Sequence, residues 1–416
     1  MGKTRSGKGA QMGQRVVIIG GGFGGLEAAF LLKELLGQSG SLTLVDRNAF
    51  HYFIPSIHEI VSGKSSVESI RIPFAAMLVP AGIRFIQDEV LSLSKADKEV
   101  ICRDRTLPYD YLIVSTGAEN NYFGIPGAEE FSFCFRKPVD AERIRTEAER
   151  LLEDPTATCR IVLAGGGTEG VEAAGELLDL VKRLGREDDL KKETISIDLI
   201  EGKERLLTGF PPQAQEYAEN YLREHGANVV TGHPIIEVRN DCVVLEGEGP
   251  RASSVLVWTG GIQPAKMIRD LPLQKDPRGW LRVTDRLHSP DDDRIFGIGD
   301  AVSVYNQDGP LLLQRLAYHA QNQASIAALN IANRMRGRDM VVYTPKSRPQ
   351  LISIGKDMGI FSQGDSVLTG AWVVVLKKAV ERKHIMSCLT RPLTSSIQAW
   401  LPGAGFVQRL RMHLPF

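Results

Sequence analysis

Two copies of one local pattern constrain this sequence more than any other feature. In the first copy a β-branched run, RVVIIG at residues 15–20, enters the turn GGGFGG and continues into LEAAFLLKELL, whose apolar residues recur at helical spacing. In the second copy RIVLAG at residues 160–165 enters GGGTEG and then VEAAGELLDLV. A strand, a glycine turn and a helix in this order present backbone N–H groups and a helix N-terminus to a pyrophosphate. The sequence therefore predicts an α/β fold with two Rossmann-like dinucleotide-binding domains.

An acidic residue ends the second strand of each copy. Asp46 follows SLTLV and lies 26 residues after Gly20, and Glu201 follows SIDLI and lies 36 residues after Gly165. A carboxylate at this place accepts hydrogen bonds from the hydroxyls of an adenosine ribose. One half could instead be a degenerate, empty duplicate. Because each half keeps its strand, glycines, helix and terminal acid, we expect two bound dinucleotides.

Composition excludes several other classes of protein. The 416 residues carry 50 basic and 50 acidic side chains, and this zero net charge argues against a nucleic-acid partner. The five cysteines never form a C-x-x-C pair, which argues against a disulfide framework, a zinc ribbon and dithiol chemistry. No metal site is predicted. This cysteine usage favours a reducing compartment. Residues 1–13, basic and glycine-rich, are predicted to form a flexible N-terminal arm.

A third glycine-rich element, GIGDA at residues 297–301, places Asp300 after a short apolar strand, where its carboxylate can approach a ribityl chain. With GGGFGG, the STG element at 115–117 and GGGTEG, it resembles the two-dinucleotide-binding flavoprotein reductases. The resemblance implies FAD in the first half and NADH in the second. The implied FAD contacts are Gly20, Gly22, Phe23, Gly24, Gly25, Asp46, Arg47, Pro55, Thr116, Gly117, Asp300 and Ala317. The implied NADH contacts are Gly165, Gly167, Thr168, Gly170, Glu201 and Gly260.

Longer strings resemble one group of these flavoproteins, the type II NADH:quinone oxidoreductases. The strings are NYFGIPG (121–127), LLTGFPP (206–212), GVEAAGE (170–176), HYFIP (51–55) and YTPKSRPQLISIG (343–355). The resemblance implies a peripheral membrane enzyme that transfers a hydride from NADH to FAD and then two electrons to a quinone, without pumping protons. Two alternatives stay open. One is a reductase of a soluble or protein acceptor, and the other is a redox-sensing flavoprotein similar to apoptosis-inducing factor.

Glu172 is the first candidate for a catalytic role. It lies about one turn into the helix after GGGTEG, and in the resembled family the matching Glu influences hydride or proton transfer. Alternatively, Glu172 is only an acid favoured by the helix dipole, although the like charge of Glu176 four residues on works mildly against that alternative. In the same half Glu201 favours NADH over NADPH because a carboxylate repels a 2′-phosphate, although Lys203 and Arg205 lie close in sequence.

The predicted helix over residues 311–335 carries the side chains that we expect to face a quinone. The resembled family shows Ala-Gln-x-Ala-x-Gln, and this chain has AYHAQNQ at residues 317–323. Tyr318 and Asn322 are expected to share a helix face towards the flavin, with Gln323 beside them. His319 is a candidate proton donor to a reduced quinone, or else a packed or surface histidine. The departure from the family pattern leaves the acceptor open among menaquinone, ubiquinone, a plastoquinone-like molecule and other two-electron acceptors.

The C-terminal segment is basic. Residues 371–416 carry seven lysines and arginines against one acid, Glu381, with Trp372, Trp400 and Phe406 interleaved. We expect residues 368–416 to dock on an anionic membrane surface, on the cytoplasmic side of the inner or plasma membrane. The alternatives are a basic face for a homodimer partner or a solvated surface. Prolines at 392, 402 and 415 are expected to break any long helix.

These observations together predict the domain organisation. Residues 14–125 and 276–342 are expected to form a discontinuous FAD-binding domain, and residues 126–275 an inserted NADH-binding domain. Residues 343–416 are expected to form a C-terminal membrane or dimer module.

Overall fold

The computed structural model describes residues 13–37, 39–154, 157–187 and 195–400. Two predicted regions lie wholly or partly outside the described residues. They are the N-terminal arm, of which only residue 13 is described, and the C-terminal module beyond residue 400. The helices are α1 (Phe23–Leu36), α2 (Ile57–Val61), α3 (Phe74–Leu78), α4 (Ala128–Phe131), α5 (Pro138–Glu153), α6 (Thr168–Glu187), α7 (Pro212–Glu224), α8 (Lys266–Asp270), α9 (Ala317–Met335) and α10 (Ala371–Trp400).

The strands fall into the two halves of the chain and a C-terminal sheet. The first ten strands are β1 (Gln14–Ile19), β2 (Gly40–Asp46), β3 (Phe50–Tyr52), β4 (Arg71–Pro73), β5 (Arg84–Gln87), β6 (Val90–Ser94), β7 (Glu99–Cys102), β8 (Thr106–Pro108), β9 (Tyr111–Val114) and β10 (Ala118–Asn120). The next are β11 (Phe133–Cys134), β12 (Cys159–Ala164), β13 (Ile195–Glu201), β14 (Ala227–Thr231), β15 (Ile235–Val238), β16 (Cys242–Leu245), β17 (Gly249–Ala252), β18 (Val255–Trp258) and β19 (Ile262–Pro264). The last are β20 (Leu281–Thr284), β21 (His288–Ser289), β22 (Asp292–Gly297), β23 (Val302–Asn306), β24 (Gly309–Pro310), β25 (Gln350–Ile354), β26 (Met358–Gln363) and β27 (Ser366–Thr369).

The first half is built on a six-stranded sheet in the order β21-β22-β9-β1-β2-β5. Strand β1 pairs in parallel with β2 and β9, and β22 pairs in parallel with β9. All four residues of β9 are buried, as expected for a parallel strand that is covered on both faces. The carboxyl ends of β1, β9 and β22 therefore meet at one edge, where the chain continues into GGGFGG, the STG element and GIGDA.

The second half repeats this arrangement. Its sheet has the order β11-β18-β12-β13-β14, and every neighbouring pair is parallel. Strand β12 leads into GGGTEG and α6, as β1 leads into GGGFGG and α1. The halves are joined by the antiparallel pair β10 and β19. The predicted α/β fold with two Rossmann-like units is confirmed.

The C-terminal segment begins with the antiparallel sheet β25-β26-β27 and continues into α10. The expectation that Pro392 breaks a long helix is wrong, since α10 runs through it to Trp400. An internal proline costs about 3 kcal/mol, which packing of a helix face can offset. Here Val373 and Cys388 of α10 are buried against the body of the protein. The helix is thus part of the folded body along much of its length.

Three of the cations counted towards a membrane-binding surface pair with acids of the body instead. Lys377 contacts Glu172 at 2.6 Å, and Lys378 contacts Glu59 at 3.2 Å. Arg391 forms a bidentate pair with Glu27 of α1, with N–O distances of 2.5 and 2.8 Å. The basic surface of the segment is therefore smaller than its sequence suggests.

Candidate functional site

The outer glycines of the two turns are required by their geometry. Gly20 and Gly165 have φ angles of +94° and +119°, which favour glycine. A Cβ atom on Gly25 would lie 1.8 Å from the carbonyl oxygen of Gly20, and one on Gly170 would lie 1.9 Å from that of Gly165. In each half, therefore, helix and strand approach so closely that no side chain fits between them.

The middle glycines of the two turns, Gly22 and Gly167, are explained by open space and not by a close contact. A Cβ atom on Gly22 or Gly167 would meet nothing within 4 Å, so both positions border open space in front of a helix N-terminus. This space fits the pyrophosphate of a dinucleotide, because the first N–H groups of α1 and α6 have no partner within their helices. The structure therefore offers an anion site at both turns.

The predicted ribose acids occupy equivalent places. One carboxylate oxygen of Asp46 accepts a hydrogen bond from the N–H of Gly21 at 2.7 Å, and one of Glu201 accepts from Gly166 at 2.7 Å. The other oxygen of Glu201 accepts from the N–H of Lys203 at 2.9 Å. Each carboxylate is held beside its glycine turn and keeps lone pairs for ribose hydroxyls.

A cavity of about 1000 Å³ lies at the first glycine turn. Among the residues that line it are the predicted FAD contacts Gly20, Gly22, Asp46, Arg47, Thr116 and Gly117. The hydroxyl of Thr116 is buried and finds no hydrogen-bond partner among the described residues. A buried hydroxyl without a partner is costly, so it fits a site that a polar ligand completes.

A central cavity of about 740 Å³ lies between the two halves and touches both glycine turns. Its lining includes the predicted residues Phe23, Gly24, Pro55, Asp300, Ala317, Gly167, Thr168, Glu172 and Tyr318. Gly25, Gly165, Gly170, Glu201, Gly260 and Asn322 line neither cavity. The structure thus brings residues of both predicted dinucleotide sites to one shared space.

Arg136 is a site residue that sequence reasoning missed. It lines both cavities and lies between two acids, with N–O distances of 3.3 Å to Glu169 and 3.8 Å to Asp300. Burial raises the pKa of both carboxyls, while the guanidinium of Arg136 opposes that rise. Its position after the short strand β11 gave no motif from which this placement follows.

Glu172 lines the central cavity and is the centre of a buried network. The ammonium of Lys377 donates to a carboxylate oxygen of Glu172 at 2.6 Å, to the Oγ of Ser353 at 3.0 Å and to the Nε2 of His58 at 3.3 Å. The N–H of Ser353 donates to the same oxygen of Glu172 at 3.0 Å. All three protons of the lysine therefore have an acceptor. The sequence does not predict that Lys377, Ser353 and His58 meet Glu172 here.

The electrostatics of this network differ from the sequence expectation. Glu176 does not act as an uncompensated like charge, because Lys64 pairs with it at 2.9 Å and the hydroxyl of Ser62 donates to it. Burial, followed by the nearby charge of Lys377, lowers the pKa of His58 well below its usual value. A neutral His58 accepts from Lys377, so its contact with Glu172 is no ion pair.

The predicted quinone-facing residues of α9 do not all reach the central cavity. Tyr318 lines it, and its buried hydroxyl has no partner among the described residues. The side-chain amide nitrogen of Asn322 is likewise buried without a described partner. His319 and Gln323 instead line a small neighbouring cavity of about 240 Å³. There His319 lies 3.2 Å from the hydroxyl of Tyr343, and Gln323 accepts from the N–H of Gly299 at 2.7 Å.

Comparison with known proteins agrees with this geometry. The chain is 29% identical over 377 residues to the NADH dehydrogenase-like protein YutJ of Bacillus subtilis, covering 88% of this chain and 97% of that protein. It is 23% identical over 387 residues to the type II NADH:quinone oxidoreductase of Staphylococcus aureus, covering 90% and 96%. The fold is similar to that of NDH2 from Plasmodium falciparum in complex with NADH, with a TM-score of 0.81, 19% identity and coverage of 94% and 99%. Residues 14–324 match the family described as pyridine nucleotide-disulphide oxidoreductase. This chain therefore belongs to the pyridine nucleotide-disulphide oxidoreductase family.

Proposed function

We propose that this protein is an FAD-dependent NADH:quinone oxidoreductase. The observation that carries the proposal is the central cavity, which touches both glycine turns and is also lined by Glu172 and Lys377. Such a cavity lets a nicotinamide and a flavin meet, and its lining includes the apolar residues Leu351 and Ile352, which suit an apolar second substrate. The type II enzyme among its relatives supports this choice of acceptor.

The proposed roles of the residues follow from their places. Asp46, Thr116 and Asp300 would hold FAD, with its pyrophosphate at the N-terminus of α1. The flavin would supply hydride acceptance and two-electron transfer. Glu201 would accept hydrogen bonds from the ribose of NADH, and its carboxylate disfavours NADPH. The protein itself positions both nucleotides and controls charge and protons around them.

For the quinone, Tyr318 is proposed to donate a hydrogen bond from its hydroxyl to a carbonyl oxygen of the ring. That hydroxyl is buried beside the central cavity without a described partner, and the guanidinium of Arg348 lies 4.4 Å from the centre of the ring. Lys377, held in place by Glu172, would provide a proton and positive charge near the reduced quinone. Asn322, Gln323 and His319 would act only by supporting α9, because they do not line this cavity.

Docking on an anionic membrane surface is part of the same proposal. The outward face of α10 carries Trp372, Val375, Met386 and Leu389, which are 45–69% exposed, with Arg382 exposed between them. An amphipathic face of this kind binds at the headgroup boundary. In the described part of the chain no helix is long and apolar enough to span a bilayer. Reduced cysteines favour the cytoplasmic side, where NADH is available. A second copy of the chain is the competing occupant of this face.

The function is tested by steady-state oxidation of NADH and NADPH with menaquinone, ubiquinone, plastoquinone and a soluble acceptor. We expect turnover with NADH and at least one quinone, and a lower kcat/KM with NADPH. Rapid reduction of bound FAD by NADH without reoxidation by any quinone would contradict the proposal. A long-lived reduced state without turnover would instead favour a redox-sensing protein.

Membrane docking needs point changes, since truncation of α10 would also remove Lys377 from the cavity. Changing Trp372 and Val375 together to serine should reduce co-sedimentation with anionic vesicles. Ile236→Ser, at an exposed apolar residue of the second half, is the matched control. Equal co-sedimentation of all three proteins, or a shift of the double variant from dimer to monomer, would contradict the membrane assignment.

A further inference from the structure

The proposed reaction consumes a proton that NADH does not supply. In NADH + H⁺ + quinone → NAD⁺ + quinol, the C–H bond at the nicotinamide breaks and two O–H bonds form. The hydride carries two electrons and one of the two hydrogens. The second hydrogen must come from water, through groups that connect the central cavity to the surface.

Glu381 is a buried acid that has no part in the site described so far. It lies four residues after Lys377 on α10, so the two side chains share a helix face. The residue is 8% exposed, and one of its carboxyl oxygens is buried without a hydrogen-bond partner among the described residues. Ser56 hydrogen-bonds to the carboxyl. Glu381 does not line the central cavity, whereas Lys377 does.

Charged and polar groups surround Glu381 and its neighbour Lys377. Lys377 and Lys378 lie on its own helix, and Glu59 pairs with Lys378 from α2. On the cavity side, α2 supplies His58, α6 supplies Glu172, β25 supplies Ser353, and Lys64 acts on His58 from farther away.

Burial is the main cause that raises the pKa of Glu381, to about 7. Lys377 lowers this pKa, while Glu59 and Glu172 raise it. A carboxyl in these surroundings gains and loses a proton near neutral pH.

We propose that Glu381 delivers the proton from water to Lys377, and that Lys377 passes a proton into the cavity. An N–H bond of the Lys377 ammonium breaks as an O–H bond of the quinol forms. The O–H bond of Glu381 then breaks and the ammonium is restored, after which water protonates Glu381 again. Glu381 acts only through Lys377. It does not touch the quinone or a nucleotide, so it is a positioning residue and not a catalytic residue. This inference rests on the proposed function.

The test compares Glu381→Gln, which cannot exchange a proton, with Glu381→Asp, which can. Glu59→Gln is the matched control, because it removes one negative charge from the same surroundings. In stopped-flow measurements all variants should keep wild-type reduction of bound FAD by NADH. Quinone reduction should fall about tenfold or more in Glu381→Gln, recover in part in Glu381→Asp and stay near wild type in Glu59→Gln. The neutral-pH limb of the wild-type kcat profile should disappear only in Glu381→Gln.

A second readout does not depend on activity. A pKa raised in the folded state means that the carboxyl favours folding while protonated and disfavours it once ionised. The Tm of the wild type, measured on the FAD-bound protein without NADH, should therefore fall relative to that of Glu381→Gln as the pH rises from about 4.5 to 7. Parallel Tm profiles, or equal quinone reduction by Glu59→Gln and Glu381→Gln, would overturn the inference. Absence of quinone turnover in the wild type would instead overturn the proposed function.

Discussion

Removing the ammonium of Lys377 should destabilise the protein far more than removing its neighbour. The side chains of Lys377 and Glu172 are only 11% and 10% exposed, and their N–O distance is 2.6 Å. Lys377→Met keeps much of the side-chain volume but leaves the carboxylate of Glu172 buried with Ser353 as its remaining strong donor. Breaking one partner of a buried pair costs about 3–5 kcal/mol. We expect a loss of this size in the free energy of unfolding.

Lys378→Met is the control, because this lysine is the next residue along α10 and also pairs with a glutamate. Its side chain is 43% exposed and its N–O distance to Glu59 is 3.2 Å, so solvent screens the pair. Exposed pairs contribute about 0–1 kcal/mol. Urea unfolding followed by circular dichroism measures both variants, at pH 7 and constant salt.

The double variant Lys377→Met with Glu172→Gln separates the pair from general damage to α10. With no charge left to bury, it should be more stable than Lys377→Met alone. Two results would refute this reasoning. One is a Lys377→Met variant within about 1 kcal/mol of wild type, and the other is a double variant whose loss equals the sum of the two single losses.

Three further predictions address the two nucleotide sites and the acceptor. Gly22→Ala should fold normally but bind less FAD, because its methyl group enters the open space that the pyrophosphate would occupy. Gly25→Ala should instead lower the Tm, because its Cβ would lie 1.8 Å from a carbonyl oxygen. Flavin absorbance measures the first effect and thermal unfolding the second. Glu201→Ser should raise kcat/KM for NADPH relative to NADH, and an unchanged ratio would show that the carboxylate does not select the coenzyme. Tyr318→Phe should raise the KM for quinone without slowing reduction of bound FAD by NADH, and an unchanged KM would remove its proposed hydrogen bond.

Local features of the site could be predicted from the sequence. The glycine turns follow from short-range sterics, since Gly20 and Gly165 need positive φ angles and Gly25 and Gly170 lie against carbonyl oxygens within the same turn. The order of strand, turn and helix fixed which end of each sheet carries the nucleotide.

Features that depend on distant residues could not be predicted. Lys377 is 205 residues from Glu172, and its sequence surroundings predict a surface cation. Arg136 belongs to no motif, yet it lies between Glu169 and Asp300. The sequence leaves His319 open between a proton donor and a packed histidine, and the packing of α9 places it at a separate small cavity.

The sequence by itself determined the two Rossmann-like units, the positions of the glycines and the family, because each depends on residues close together in the chain. Only the tertiary structure decided the use of α10. In sequence its cations are interchangeable, but burial against α6 and α1 gives Lys377 and Arg391 carboxylate partners, while Arg382 stays exposed. The cost of burying a charge without a partner explains why contacts made by folding, and not composition, decide which cations remain available for the proposed membrane docking.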